Sequence, residues 1–331
     1  MPMMTATSAR PASEDAGLFF DRDSARHLLG LDGMPRAALR ALLDDAKEQK
    51  ARAERGELPG DELRGLTVCN AFFEDSTRTR VSFEIAERRL GATMASFSPG
   101  GSSLSKGETM LDTLRVIESM GVDLLVVRHR LAGVPQFLAR HLKAGIINAG
   151  DGAHEHPTQG LLDLMTLDLA WSGRFEGRRI AIVGDIEHSR VARSACFGLV
   201  TLGAEVLFAG PPSLLPRGPE ALGGRLAPSL DQALDGADAV MALRIQHERM
   251  AQALIASERE YAREWGIDAT RLGLLAPHAV VMHPGPVNRG VELASDVMDH
   301  ARSVVFQQVN HGVSVRCAVL RRAAAALGIG R

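Results

Sequence analysis

The residues of this chain best suited to chemistry are hydroxylic and cationic, and they fall in short groups. Ser76-Thr77-Arg78-Thr79-Arg80 interleaves hydroxyls with guanidinium groups. It follows an apolar run, Leu66 to Phe73, of strand length, and opens a segment where Val81, Phe83, Ile85, Ala86 and Leu90 recur at helical spacing. A hydroxyl-rich turn at a helix start already favours an anion, through free backbone N–H groups and the positive end of the helix dipole. Ser76, Thr77 and Thr79 add donors there, and Arg78 adds a planar fork matched to phosphate oxygens. The result is a phosphate cradle without a glycine-rich loop. Ser76 or Thr77 as a plain helix cap beside solvated arginines is the alternative; the interleaving after a buried strand favours the cradle.

Arg190 stands beyond Asp185 after an apolar run, placed to take a carboxylate with both guanidinium nitrogens. Arg244 and Gln246 lie two apart on one loop, able to close on a second carboxylate. His156 precedes Pro157, Thr158 and Gln159 at a strand end, a placement that could aim its ring at a ligand. Lys106 lies in the Gly/Ser-rich loop from Pro99 to Gly107, which has little apolar content to anchor it.

The elements that must position these groups read as two successive strand-and-helix alternations. Strands are expected near 66–73, 92–97, 122–127 and 145–149, then near 179–183, 204–209, 238–243 and 279–282. Helices between them include one beginning near Pro35, with Leu39, Leu42, Leu43 and Ala46 on one side, and a last, alanine-rich one over roughly 312–327. The fold class is therefore α/β, with two doubly wound parallel-sheet domains. Each polar group begins where a strand stops: Glu74 to Arg80, Ser102 to Lys106, Arg128-His129, His156 to Gln159, Asp185 to Arg190, Arg244 to Gln246 and His283 to Pro286. Carboxyl ends of parallel strands are where open sheets bind ligands, which puts the site in the cleft between the domains.

Composition bounds the rest. A chain of 331 residues suits two domains, and its 38 Lys and Arg against 40 Asp and Glu leave a formal charge of -2, so no general basic field exists for nucleic acid. Residues 1–20 are rich in Ala, Ser, Thr and Pro without an apolar core segment, and read as a flexible tail, not a signal peptide. No apolar run approaches membrane-spanning length. Cys69, Cys196 and Cys317 sit among apolar neighbours, as reduced core thiols of a cytoplasmic protein do; neither metal nor cofactor is expected.

The stretch Phe73-Glu74-Asp75-Ser76-Thr77-Arg78-Thr79-Arg80-Val81-Ser82-Phe83-Glu84 resembles the carbamoyl-phosphate motif of the transcarbamoylases. Ser102 to Thr109, Val127-Arg128-His129, His156 to Gln159, Arg244 to Gln246 and His283-Pro284-Gly285-Pro286 follow in the family's order. The resemblance covers nearly the whole chain after about residue 20. It implies transfer of a carbamoyl group from carbamoyl phosphate to the amine of L-aspartate in pyrimidine biosynthesis, without metal or covalent intermediate, the leaving phosphate accepting the amine proton. It further implies that Ser76, Thr77, Arg78, Thr79, Ser102, Lys106, Arg128, His156 and Gln159 bind carbamoyl phosphate. Ser103 and Ser105 remain alternatives to Ser102. Thr79, Arg128 and His156 would polarise the carbonyl, with Gln159 on the carbamoyl amide. Arg128 and Arg190 would hold the α-carboxylate of aspartate, and Arg244, Gln246 and Lys106 its side-chain carboxylate, with Gly285 and Pro286 near the amine. Glu74 and Arg249 look like interdomain ion-pair members.

By the same resemblance, residues 21–150 with 312–331 form the carbamoyl-phosphate domain and 151–311 the aspartate domain. Lys106 would enter a neighbouring subunit's site in a homotrimer, to which regulatory or dihydroorotase-like chains could attach. The ornithine-using branch typically carries His-Cys-Leu-Pro where this chain has His283-Pro284-Gly285-Pro286, and it needs no Arg-x-Gln clamp. A noncatalytic anion-binding paralogue is disfavoured by the presence of Arg78, Arg128 and His156. A nicotinamide dehydrogenase is disfavoured because no glycine fingerprint follows Val183-Gly184-Asp185.

Overall fold

A computed structural model describes residues 24–98, 108–245, 255 and 257–328. The tail at 1–20, Ser102, Ser103, Ser105, Lys106, Gln246 and Arg249 lie outside the described residues.

Helix α1 (Arg36–Glu54) leads into the first alternation: β1 (Thr67–Phe72), α2 (Thr77–Arg89), β2 (Thr93–Phe97), α3 (Met110–Ser119), β3 (Leu124–His129), α4 (Val134–His141) and β4 (Gly145–Asp151). Helix α5 (Pro157–Ala170) leads to the second: β5 (Arg179–Val183), α6 (Arg190–Leu202), β6 (Glu205–Ala209), β7 (Arg225–Leu226), α7 (Leu230–Leu234), β8 (Ala239–Ala242), α8 (Glu258–Trp265), α9 (Ala269–Leu272) and β9 (Val280–Met282). Helices α10 (Ser295–Met298) and α11 (Val305–Ala326) close the described chain. The sequence reading anticipated the longer strands. It did not anticipate β7, whose ladder has only two registered pairs, and it started the last helix seven residues late.

Every strand pair is parallel. The first sheet has the order β2-β1-β3-β4 and the second β7-β6-β5-β8-β9. Winding therefore reverses between β1 and β3 in one sheet and between β5 and β8 in the other. These are the switch points, where diverging crossovers leave an open crevice at the strand ends.

Burial on both faces explains the unbroken apolar strands. Leu124 and Val126 of β3 face a large core that also contains Ile180 and Ile182 of β5, while Leu125 and Val127 face α3 and α4, and Ala181 and Val183 face α7 and α9. Helices α5 and α11 lie within the large core. α5 is buried on nearly every side, as an interior helix must be, and packs against α6 and α11; α11 also packs along α1 and α2. Nothing among the described helices is long and apolar enough to cross a membrane.

Candidate active site

The chain's polar groups meet in one cleft of about 500 Å³ lined from both sheets. From the first come Glu74, Ser76, Arg78, Thr79 and Arg128, followed by His156 and Gln159 at the start of α5; from the second come Asp185, His188, Arg190, Arg244, Gly285 and Pro286. Thr77 does not join them; it is exposed on the first turn of α2.

Local structure places each group. Ser76 caps α2 with extended backbone, but its hydroxyl makes no capping hydrogen bond and is left for the cleft. Arg128 sits at an irregularity in the β3–β4 ladder between Val127 and His129, and Nη1 donates to the carbonyl of Ala149 at 3.2 Å. His156 precedes Pro157, the first residue of α5, and its backbone N–H donates to Ser194 Oγ at 2.9 Å. Ser194 in turn donates to Glu155, a buried carboxylate that also accepts the backbone N–H groups of Leu31 and Asp32. Arg190 opens α6 behind the Ser189 cap. The loop after β8 is held where it starts: Ile245 N donates to Glu292 and Asn288 donates to the carbonyl of Ile245.

Charge in the cleft is lopsided. Arg78, Arg128, Arg130, Arg190, Arg244 and Arg316 line it against the carboxylates of Glu74 and Asp185. Burial and the nearby Arg190 push Arg128 down to about 10 despite its ion pair. Burial, then Arg244, lowers Arg78. Burial, followed by Arg128, Arg190 and Arg316, holds His156 well below the usual histidine range, so its ring is neutral and can donate one hydrogen bond without adding charge. Glu74 bridges the halves: Oε1 accepts from Arg128 Nη2 and Arg190 Nη2, each at 2.7 Å, and Oε2 from Arg190 Nη1 at 3.0 Å. Burial raises this carboxyl, and the two guanidinium groups outweigh that and hold it below the usual range.

Glycines make room for these arginines. A Cβ on Gly285, whose φ is +66°, would lie 2.3 Å from Arg78 Nη1; one on Gly150, whose φ is +115°, would lie 3.0 Å from Arg128 Nη1 and 3.2 Å from Arg190 Nε.

Arg316 escaped the sequence reading because it sits in the apolar, alanine-rich stretch of α11. It is 3% exposed, lies 5.0 Å over the Phe83 ring and donates to the carbonyl of Gly312. An arginine on the buried stripe of a core helix was the signal available. Arg130, Asp163 and Gln308 were also missed. Among the described residues no cluster of His, Cys, Asp and Glu could hold a metal ion.

The fold and the cleft define an α/β protein of two parallel sheets whose switch points converge on an arginine-lined site for a multiply charged anion. Residues 26–168 match the family model "Aspartate/ornithine carbamoyltransferase, carbamoyl-P binding domain", and residues 176–322 match "Aspartate/ornithine carbamoyltransferase, Asp/Orn binding domain". The chain is 53% identical over 300 residues to the aspartate carbamoyltransferase catalytic subunit of Myxococcus xanthus, covering 89% of this chain and 98% of that one. Among solved structures it resembles aspartate transcarbamoylase from Trypanosoma cruzi in complex with carbamoyl phosphate, with a TM-score of 0.82 and 32% identity over 89% of this chain and 95% of that one. Ornithine carbamoyltransferase from Thermus thermophilus gives 0.79 and 26% over 90% and 98%. The chain belongs to the aspartate/ornithine carbamoyltransferase family.

Proposed function

We propose that this protein transfers the carbamoyl group of carbamoyl phosphate to the amine of L-aspartate, giving N-carbamoyl-L-aspartate and phosphate for pyrimidine synthesis. The observation that carries the choice of a dicarboxylate acceptor is Arg244, which lines the same cleft as an Arg128–Arg190 pair that already holds one carboxylate, that of Glu74, by three hydrogen bonds of 2.7 to 3.0 Å. Two guanidinium groups spaced for one carboxylate, with Arg244 on the same cleft wall for a second, suit aspartate and repel the cationic side chain of ornithine.

Phosphate binds at the start of α2, on Ser76, Arg78 and Thr79 with the helix-start backbone N–H of Thr77, whose side chain stays outside the cleft, and with Ser102 and Lys106. Thr79, Arg128 and neutral His156 polarise the carbamoyl carbonyl, stabilising the oxyanion that develops when the amine attacks. Gln159 meets the carbamoyl –NH2. The new C–N bond forms as the C–O bond to phosphate breaks, and the departing phosphate takes the amine proton. Aspartate enters with its α-carboxylate on Arg128 and Arg190, displacing Glu74 from at least one of them. Its side-chain carboxylate goes to Arg244, Gln246 and Lys106, and its amine lies against Gly285 and Pro286.

Residues 21–150 with the C-terminal helix act as the carbamoyl-phosphate domain and the remainder of 151–311 as the aspartate domain. Packing of α11 along α1 and α2 supports grouping that helix, from Val305, with the first unit. The working form is a cytoplasmic homotrimer, in which Lys106 completes a neighbour's site. Exposed Val81, Ile85 and Val116 on α2 and α3 supply apolar area for a neighbouring chain to cover. Radiolabelled carbamoyl phosphate offered with aspartate, ornithine and other amines in parallel tests the reading: label should pass to aspartate alone.

A further inference from the structure

Behind the cleft, outside its lining, a buried carboxylate with no cationic partner among the described residues holds two amides. Asp163 is 1% exposed. It lies on the same face of α5 as Gln159, one turn on, and its Oδ1 accepts from Gln159 Nε2 at 3.0 Å. The same oxygen accepts from Gln308 Nε2 of α11 at 2.9 Å, and Gln308 Oε1 accepts the backbone N–H of His283 at 2.9 Å. Asp163 therefore joins the amide expected at the carbamoyl group to the loop expected at the amine.

We propose that Asp163 is a positioning residue that makes the site read a carbamoyl amide: it fixes the Gln159 side chain with its nitrogen inward, so that Oε1 faces the cleft as an acceptor. A side-chain amide can present either end, and only its partners decide which. Here the partner is an acceptor in either protonation state. Asp163 Oδ2 is buried with no partner among the described residues, so a proton on the carboxyl sits there and leaves Oδ1 to the two donors. Burial, working against the Gln308 and Gln159 contacts, pushes Asp163 up to about 7, so both states occur near neutrality and neither turns Gln159 over. No donor among the described residues reaches Gln159 Oε1. That oxygen complements the –NH2 of a carbamoyl group and has nothing to accept from a methyl group of the same shape.

The inference rests on Gln159 meeting the carbamoyl group, and the test separates the two claims. Acetyl phosphate replaces the –NH2 by –CH3 and keeps the carbonyl and phosphate. Dissociation constants of both ligands are measured by calorimetric titration of the full chain. The wild type should prefer carbamoyl phosphate about tenfold, the worth of one hydrogen bond. Asp163→Ala should erase that preference by weakening carbamoyl phosphate alone, whereas Asp163→Asn, which keeps an acceptor oxygen, should retain most of it. Gln159→Ala should erase it as well. Preference kept in Asp163→Ala but lost in Gln159→Ala overturns the positioning role and leaves Gln159 in place; preference kept in Gln159→Ala overturns both. Equal weakening of both ligands in Asp163→Ala, or loss in Asp163→Asn as complete as in Ala, also overturns the proposal. If the Ala variant does not fold, Asp163→Leu, which fills the same space without an acceptor, carries the same comparison, with the preference again expected to be lost.

Discussion

At the scale of single residues, the site depends on guanidinium groups held where charge repulsion alone would separate them. Arg78 projects from the first turn of α2 toward Arg244, and an anion is what reconciles the two. If Arg78 makes two charge-assisted bonds worth roughly 1.5–3 kcal/mol each, Arg78→Ala should lower turnover on the order of a hundredfold or more. A near-native rate at saturating carbamoyl phosphate contradicts its assignment. Gly150 is the opposite case, a residue that acts by lacking a side chain. Its φ of +115° strains any side chain, and a methyl there would sit 3.0 to 3.2 Å from the two guanidinium groups, which would have to give way. Gly150→Ala should raise the Michaelis constant for aspartate about tenfold through displacement of Arg128 and Arg190, a backbone and packing cost of roughly 1–3 kcal/mol. An unchanged constant in steady-state kinetics removes that constraint from the account.

Elements were legible where periodicity is strong. Most strands of both sheets, β2 and β7 excepted, carry two buried faces, so their apolar runs are continuous and easily bounded. The start of α11 was not, because Gly312 reads as a break. In the structure it is mid-helix, and a Cβ there would lie 2.5 Å from Arg316 Nη1, so the residue that hid the helix is the one that admits the overlooked arginine. The sequence reading named Glu74 as an interdomain ion-pair member but not its partners Arg128 and Arg190, since these depend on how two sheets meet. Beneath the phosphate motif, α2 contacts β1 through Glu87, fully buried and pushed up to about 8 by burial, with Asn70 Nδ2 donating to both its oxygens at 3.0 Å. A carboxyl raised in the folded state opposes folding wherever the unfolded chain alone ionises, so this residue's contribution declines as pH rises from about 4.5 through about 8. Glu87→Gln should therefore gain stability over the wild type as pH rises through that window, by up to about 1.4 kcal/mol for each pH step of one. Urea unfolding at about pH 5 and about pH 8 checks it; a difference that does not change with pH contradicts the buried acid.

The whole molecule brings two sheets, and we propose also two chains, to one reaction. If each site takes Lys106 from one chain and His156 from another, Lys106→Ala and His156→Ala trimers are both nearly inactive. Reassembled in equal amounts, about three rings in four are mixed, each with one interface carrying both native residues, so roughly a quarter of all sites should recover. A mixture as dead as its parents, with mixed rings confirmed by size, places Lys106 in its own chain or outside the site. The central claim, that the arginines of both sheets select a dicarboxylate amine, is tested most directly by one specificity measurement. Carbamoyl transfer to aspartate and to ornithine is followed in the wild type and in Arg244→Ala, with carbamoyl phosphate affinity titrated separately. The account predicts transfer to aspartate alone in the wild type, and in the variant an aspartate kcat/KM lower by about a hundredfold, two charge-assisted bonds, with carbamoyl phosphate affinity nearly unchanged. Transfer to ornithine by the wild type at a comparable rate, or equal loss of both ligands in the variant, would contradict it.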